Sequence, residues 1–365
     1  MNPLKVAVVG YGKLGSIHAR LISESVEFDL LGIVDPNPDC RKLASDTLQI
    51  PTVANIEPLL AKIDCAIVAT PTIHHYAVCK TLLENRKHVL VEKPITATID
   101  QAAELVALAK AHNVTLQVGH VVRFDHRFQA AEKIINAPCF IECTRTSGYT
   151  FRSMDVGVTL DLMIHDIDLV LSLIDSPLTS LQALGVPVIG PHEDIAHARL
   201  TFENGAMANL TASRTSYEQI RKLQVTGASG FVAIDFMNDE SITSVSVGEE
   251  LRGLNLDPTN ASIEMQQDIA ARYFLDLLPR EEISVTPGNA IKEEHTDFCA
   301  AVNTGRKPRV CGETGMHVLE VATQIVDAIH TNTANSLPVT GGPHFNPDGV
   351  FNKSGNIHKS RMRGL

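Results

Sequence analysis

Three ionisable side chains, Lys93, Asp161 and His165, have types and a spacing that suit proton transfer. Asp161 and His165 are four residues apart, so a helix would place both on one face, where the carboxylate could orient the imidazole. A histidine held in this way can take a proton from an alcohol, because its unperturbed pKa lies near neutrality. Lys93 follows an apolar run and precedes a proline, and its ammonium group could hydrogen-bond a substrate hydroxyl. A surface lysine and a buried structural histidine are the alternative interpretation.

The N-terminal segment predicts a dinucleotide-binding site. An apolar run at 6–9 leads into a G-x-G-x-x-G loop, and a segment compatible with a helix follows. Such a loop makes a tight turn, lets the backbone approach a pyrophosphate and points helix N–H groups at the phosphates. The loop residues are Gly10, Tyr11, Gly12, Lys13, Leu14 and Gly15.

A carboxylate near this loop predicts the cofactor. Asp35 ends a second apolar run, at 28–34, and lies at the distance along the chain where a carboxylate would bind the adenosine ribose. No arginine follows it directly, and a carboxylate would repel a 2′-phosphate, so NAD is predicted. NADP is not excluded, because Arg41 is close in sequence.

The order of predicted elements indicates two domains. Strands at 6–9, 28–34, 65–69, 88–92 and 115–118 alternate with helical segments, which predicts a doubly wound parallel sheet of the Rossmann type. From about residue 140 the pattern changes to β-rich segments with hairpin turns, framed by helices near 160–174, 291–303 and 314–329. The predicted fold is therefore an α/β Rossmann domain at 1–121 and an α+β domain with a large, mostly antiparallel sheet at 122–335. Residues 336–365 are predicted to form a solvated tail.

Composition narrows the class of protein. The net charge of -11 and the lack of a basic run argue against nucleic-acid binding. No apolar run is long enough to span a membrane, and the N-terminus does not resemble a signal peptide, so a cytoplasmic protein is expected. The seven cysteines are scattered without metal-ligand spacing, which predicts free thiols and no metal site.

One arginine has two equally supported interpretations. Arg123 follows the last predicted strand of the first domain. It could clamp a phosphate or carboxylate of the substrate, or it could tie the two domains together.

Together these motifs resemble the Gfo/Idh/MocA family of NAD(P)-dependent oxidoreductases, over nearly the whole chain. The motifs are the glycine loop, Ala69-Thr70-Pro71 followed by His75, Glu92-Lys93-Pro94, and Asp161 with His165. The resemblance implies that Lys93, Asp161 and His165 act on a substrate alcohol, with Arg123 as a further candidate for substrate binding. It also implies a set of residues that bind the cofactor beyond the loop and Asp35, namely Thr70, Pro71, His75, Glu92 and Lys93.

Within the family, segments 119–124 and 161–168 resemble the subgroup that includes UDP-N-acetylglucosamine 3-dehydrogenases. This implies oxidation of a secondary hydroxyl of a sugar or nucleotide sugar, with the 3-hydroxyl of UDP-N-acetylglucosamine or a similar UDP-sugar as the preferred candidate. His165 would accept the proton as hydride passes to the nicotinamide, and Lys93 is the competing proton acceptor. The alternatives are an inositol or simple-sugar dehydrogenase of the same family and, from another class, a non-catalytic NAD(P)-binding sensor or regulator.

The second domain also suggests self-association. A broad sheet with one exposed face predicts a homodimer or homotetramer. The other expected binding partner is the substrate, a small sugar or nucleotide sugar.

Overall fold

The computed structural model describes residues 3–151, 156–189, 191–228, 230–238, 241–247, 260–272 and 276–336. Apart from Ser336, the tail predicted at 336–365 lies outside the described residues.

The N-terminal half is a six-stranded parallel sheet in the order β3-β2-β1-β4-β5-β6. Its strands are β1 Leu4–Val9, β2 Phe28–Val34, β3 Thr52–Val53, β4 Cys65–Val68, β5 His88–Glu92 and β6 Leu116–Gly119. The connecting helices are α1 Lys13–Ser23, α2 Pro38–Leu48, α3 Glu57–Leu60, α4 Thr72–Glu84 and α5 Ile99–His112. The strands read as apolar runs because both faces of a parallel sheet are buried under helices.

The second half is built on an eight-stranded sheet in the order β14-β13-β12-β11-β7-β10-β9-β8. Its strands are β7 Pro138–Thr146, β8 Leu178–Val186, β9 Ile195–Phe202, β10 Met207–Ser213, β11 Ile220–Gly227, β12 Gly230–Asp235, β13 Ser241–Ser246 and β14 Arg280–Ser284. β7 and β10 run parallel, and the other neighbouring pairs of described strands are antiparallel. The predicted fold class is confirmed.

Five helices accompany the second sheet in the described part of the chain. They are α6 His126–Glu132, α7 Ile164–Leu173, α8 Ile263–Arg272, α9 Ala290–Thr304 and α10 Gly312–Ser336. The helix predicted near 160–174 is divided, because a π-helical turn at Thr159–Met163 precedes α7. The short or weakly periodic elements β3, α3, α6, β8, β13, α8 and β14 were not predicted.

The last two helices join the two sheets. Phe298 and Cys299 of α9 belong to the apolar cluster on one face of the N-terminal sheet, and Leu319 of α10 belongs to the cluster on its other face. α10 also packs against β8 and α7 of the second half. The domain boundary at 121–122 stays a prediction, since α9 and α10 supply core residues to the N-terminal sheet.

The described residues include no helix that is long and apolar enough to cross a membrane. Within the same residues, no group of three or more His, Cys, Asp or Glu side chains could hold a metal ion. The seven cysteines are free thiols.

Candidate active site

The glycine loop lies between β1 and α1, and its three glycines have different surroundings. Gly10 has a φ of +92°, and a Cβ on it would lie 2.6 Å from the carbonyl oxygen of Ala69. A Cβ on Gly15 would collide with the carbonyl oxygen of Gly10, so these two glycines are required by packing. A Cβ on Gly12 would meet nothing within 4 Å. The space above Gly12, at the start of α1, therefore fits the pyrophosphate of a dinucleotide.

Asp35 stands one residue past the end of β2 with its carboxylate fixed by the backbone. Its two oxygens accept hydrogen bonds from the N–H groups of Tyr11 and Asn37, both at 2.8 Å. Each carboxylate oxygen keeps a further lone pair that can accept a ribose hydroxyl. Arg41 also lies at this turn, where its guanidinium donates to the carbonyl oxygens of Asp35 at 2.7 Å and Pro36 at 2.9 Å. The carboxylate suits the ribose of NAD, and the arginine brings a positive charge to the same turn.

Lys93 follows β5 and reaches across to the second half of the chain. Its ammonium Nζ donates to the backbone carbonyl oxygen of Asp161 at 2.6 Å and lies 3.8 Å from the Asp161 carboxylate oxygen Oδ1. Burial lowers the pKa of Lys93, while the charges of Asp161 and Glu92 oppose that effect. The structure thus brings together Lys93 and Asp161, which are far apart in sequence.

Asp161 and His165 are not paired as the helical spacing predicted. Asp161 lies in the π-helical turn and His165 in α7, so the simple i, i+4 geometry of one α-helix does not apply between them. Nδ1 of His165 is buried and has no hydrogen-bond partner. The Asp161 carboxylate faces Lys93 instead, which corrects the expectation that it orients the imidazole.

His165 is surrounded by positive charge. Burial lowers its pKa well below the usual 6.5, and the cations Lys93 and Arg145 lower it further. His120, which follows β6, is fully buried with both ring nitrogens unpartnered. Burial, with Lys93 and Arg123 nearby, lowers the pKa of His120 to about 3. Both imidazoles are therefore neutral at physiological pH, and neutral His165 can accept a proton.

Glu92 is buried and contacts the backbone of Lys93. Its carboxylate accepts a hydrogen bond from the Lys93 backbone N–H at 3.3 Å and contacts Nε2 of His18 at 2.8 Å. His18 in turn lies 2.8 Å from Nε2 of His295 on α9. Burial alone would raise the pKa of Glu92, but the hydrogen bond and charge of His18 hold it below its usual value. These contacts fix the backbone at Lys93, and the implied contact of Glu92 with the cofactor stays a prediction.

His75 joins two loops at the carboxyl edge of the parallel sheet. Its Nδ1 lies 2.9 Å from the carbonyl oxygen of Pro94 and its Nε2 lies 2.8 Å from that of Thr70. The ring is buried, so neither nitrogen remains for the cofactor. His75 fixes the Thr70-Pro71 loop relative to the loop that carries Lys93, which corrects the implied direct contact. Thr70 and Pro71 themselves remain partly or fully exposed at the edge.

Arg123 is buried and bonded to the second half of the chain. Its Nη1 lies 3.2 Å from Asp168 Oδ1 on α7, and its backbone carbonyl oxygen accepts a hydrogen bond from Arg309 Nε at 3.0 Å. Burial raises the pKa of Asp168 to about 7, against the effect of Arg123. Arg123 therefore holds α7 in place, which favours the structural interpretation, and its contact with the substrate stays a prediction.

Three residues of this region were not selected from the sequence. His120 lies in the segment 119–124 that drew attention for Arg123, and His18 occurs in no predicted motif. Only the packing of α1 and of the turn after β6 reveals that both rings are buried. Arg221 looked like an ordinary strand residue, and its position beside Arg145 depends on the register between β7 and β11. Alternation of polar and apolar residues on β11 was the one signal present.

The parallel sheet, the glycine loop, Asp35 and the Lys93–Asp161 contact define a Rossmann-type oxidoreductase site. Models of one family match two consecutive parts of the chain: the oxidoreductase family with an NAD-binding Rossmann fold at 4–120, and the GFO/IDH/MocA C-terminal domain at 115–233. The chain belongs to the Gfo/Idh/MocA family. It is an NAD(P)-dependent oxidoreductase.

Individual relatives cover most of the chain. A UDP-N-acetylglucosamine 3-dehydrogenase from Acidithiobacillus ferrooxidans is 28% identical over 90% of this chain and 98% of its own length. A solved structure of that enzyme superposes with a TM-score of 0.79 at 27% identity, covering 91% of this chain and 99% of that chain. A scyllo-inositol 2-dehydrogenase (NAD(+)) from Bacillus subtilis is 28% identical over 67% of this chain and 78% of its own length.

Proposed function

We propose that this protein oxidises a secondary hydroxyl of a nucleotide sugar with NAD as the hydride acceptor, and that the 3-hydroxyl of UDP-N-acetylglucosamine or a similar UDP-sugar is the substrate group. The observation that carries the proposal is the Lys93 ammonium, which donates to the backbone carbonyl oxygen of Asp161 at 2.6 Å, together with His165, whose surroundings keep it neutral. The similarity to the UDP-N-acetylglucosamine 3-dehydrogenase over almost the full length of both chains supports the substrate class.

The residues present divide the work of an alcohol oxidation. His165 accepts the hydroxyl proton, and Lys93 donates a hydrogen bond to the same oxygen and stabilises its developing negative charge. Asp161 holds the ammonium in place and helps to keep it charged. Lys93 stays the competing candidate for the proton acceptor, because burial lowers its pKa while Asp161 and Glu92 favour its charged form.

The cofactor would be held at the other side of the site. Gly12 and the start of α1 would bind the pyrophosphate, and Asp35 would accept the ribose hydroxyls. When bound, the nicotinamide supplies the acceptor for the hydride. Asp35 favours NAD over NADP, since its carboxylate repels a 2′-phosphate.

A second candidate substrate is an inositol or another uncharged polyol. The similarity to the scyllo-inositol 2-dehydrogenase supports this alternative. A non-catalytic sensor is the third candidate, and it predicts cofactor binding without turnover.

Reduction of the cofactor by a panel of substrates tests the proposal. The purified protein is given NAD or NADP with UDP-N-acetylglucosamine, other UDP-sugars, inositols or simple sugars, and absorbance of the reduced cofactor is recorded. We expect the highest kcat/KM with NAD and a UDP-sugar. Faster turnover of an inositol supports the second candidate, and cofactor binding without turnover supports the sensor. More efficient use of NADP contradicts the choice of NAD.

Two variants test the assigned roles. We expect His165→Ala and Lys93→Met each to lower kcat by about 100-fold or more, within the range of acid–base and electrostatic catalysis, while the dissociation constant of NAD changes little in His165→Ala. A loss of less than about tenfold in both variants would show that neither residue carries the proton or the charge.

A further inference from the structure

The second sheet carries one arginine, Arg221, whose guanidinium group forms no hydrogen bond or ion pair within the described residues, although its backbone carbonyl oxygen accepts from the Phe236 N–H. The other cations described around the site are each paired with a carboxylate: Lys93 with Asp161, Arg145 with Asp166, Arg123 with Asp168 and Arg127 with Asp125. The charge of Arg221 therefore remains available to a ligand.

The register of the second sheet places Arg221 near the reacting groups. Arg221 on β11 is directly opposite Arg145 on β7, so the two side chains leave the sheet on the same face. Leu223 and Val225, which share that face, are buried in the core that α7 helps to form. Arg145 reaches Asp166 with Nη2 at 2.6 Å from Oδ1, and Asp166 is the residue after His165. Arg221 thus stands at the end of the sheet where α7 presents His165.

Electrostatics agree with this position. Arg221 is one of the cations that lower the pKa of His165, after burial and the charges of Lys93 and Arg145. The pKa of Arg221 is itself lowered, first by partial burial and then by repulsion from Arg145, while the charge of Asp166 opposes that effect. Asp166 is hydrogen-bonded to Arg145, so the pair of arginines keeps a surplus of positive charge. A bound anion would relieve this repulsion.

We propose that Arg221 binds the diphosphate of the nucleotide-sugar substrate. The inference rests on the proposed function and adds the group that recognises the anionic part of the substrate. One sugar ring separates a 3-hydroxyl at His165 from the phosphate on the anomeric carbon. A guanidinium group pairs with phosphate oxygens through two parallel hydrogen bonds, which an uncharged polyol cannot accept with the same strength. Arg221 therefore favours nucleotide sugars over inositols.

Binding of UDP tests this inference independently of turnover. Calorimetric titration of UDP into the protein saturated with NADH measures the nucleotide site while the cofactor site is filled. We expect Arg221→Gln to weaken UDP binding by about 10- to 100-fold, as for loss of a hydrogen bond to a charged group. The UDP affinity of Arg221→Lys should lie between those of the unmodified protein and Arg221→Gln. Uridine affinity is expected to stay the same, since uridine lacks the diphosphate.

Lys222→Gln is the matched control. Lys222 is adjacent in sequence and also exposed, but it projects from the opposite face of β11 and lies 3.6 Å from Asp235. The Lys222→Gln variant should bind UDP with the same affinity as the unmodified protein. Equal UDP affinity in Arg221→Gln and Lys222→Gln, or no UDP binding by the unmodified protein, overturns the inference. If UDP binding depends on Arg221 but no UDP-sugar is oxidised, the inference stands and the proposed function fails.

Discussion

The charged neighbours of Lys93 and of His165 have opposite effects on the pKa values of these two side chains. Burial disfavours the charged form of both side chains. Lys93 has the carboxylates of Asp161 and Glu92 to compensate, whereas His165 faces Lys93, Arg145 and Arg221. The result is a cation beside a neutral base, which is the combination that oxidation of an alcohol needs at neutral pH.

The pH dependence of oxidation follows from this arrangement. His165 must be unprotonated to accept the substrate proton, and its pKa lies well below 6.5. Protonation of His165 therefore lowers the rate only when the pH drops through that lowered pKa. We expect no decrease in kcat/KM for oxidation through this group between pH 8 and pH 6.5. A pH profile from 5 to 9 measures it, and an acidic limb centred above pH 7 contradicts the assignment of His165.

The same profile has an internal control. Arg221→Gln removes one of the charges that lower the pKa of His165, so its acidic limb should move to higher pH. Lys222→Gln should leave the limb unchanged, because Lys222 lies on the other face of the strand.

At the scale of elements, the turn between β1 and α1 separates structural from ligand-binding glycines. Gly10 and Gly15 are required by close contacts within the protein, whereas Gly12 faces open space. The G-x-G-x-x-G pattern marks all three equally, and only the surrounding backbone tells them apart.

Alanine substitutions in this turn should therefore have opposite effects. Gly12→Ala should change the free energy of unfolding by less than about 1 kcal/mol, because its φ of -76° suits alanine and its Cβ meets no atom. It should nevertheless raise the dissociation constant of NAD at least tenfold, since the methyl group occupies the approach to the pyrophosphate.

Gly10→Ala is the contrasting variant. Its φ of +92° and the contact with Ala69 should lower the free energy of unfolding by about 2 kcal/mol or more. Urea unfolding and NAD titration measure both quantities. Unchanged NAD affinity in Gly12→Ala would show that the pyrophosphate does not lie above this residue.

At the scale of the whole molecule, the chain returns from the second sheet to complete the first. Phe298 on α9 is fully buried among residues of the N-terminal sheet that include Val6, Val8 and Leu90. His295 on the same helix contacts His18, which binds Glu92. The dinucleotide-binding half is thus supported by residues close to the end of the described chain.

The Phe298→Ala variant tests whether the N-terminal half depends on α9 for its stability. We expect it to lower the free energy of unfolding by about 3 to 5 kcal/mol, the usual cost of removing a buried phenylalanine side chain. Urea unfolding followed through loss of NAD binding measures the effect on the N-terminal half. Glu293→Gln, an exposed change on the same helix, should stay within about 0.5 kcal/mol. A similarly small effect of Phe298→Ala would show that the N-terminal half is stable without α9.

Local signals were sufficient for much of the fold and part of the site. The alternation of apolar runs and helical segments determined the parallel sheet, because burial on both faces leaves a pattern in each strand. The glycine loop, Asp35 and Lys93 were identified for the same reason, since each stands directly beside the strand that positions it. The homo-oligomer and the cytoplasmic location stay predictions.

Partners of charged residues were decided only by the tertiary structure. Arg123 and Arg221 are both arginines beside apolar segments, yet one is buried against Asp168, and the guanidinium group of the other forms no ion pair with any described residue. The π-helical turn redirected Asp161 from His165 to Lys93. Sequence spacing specifies neighbours within one element, whereas charge pairing depends on side chains that different elements bring together. The sequence by itself determined that a dinucleotide binds and predicted where an alcohol could react, and the packing of α7 and β11 decided which charged side chains lie near His165.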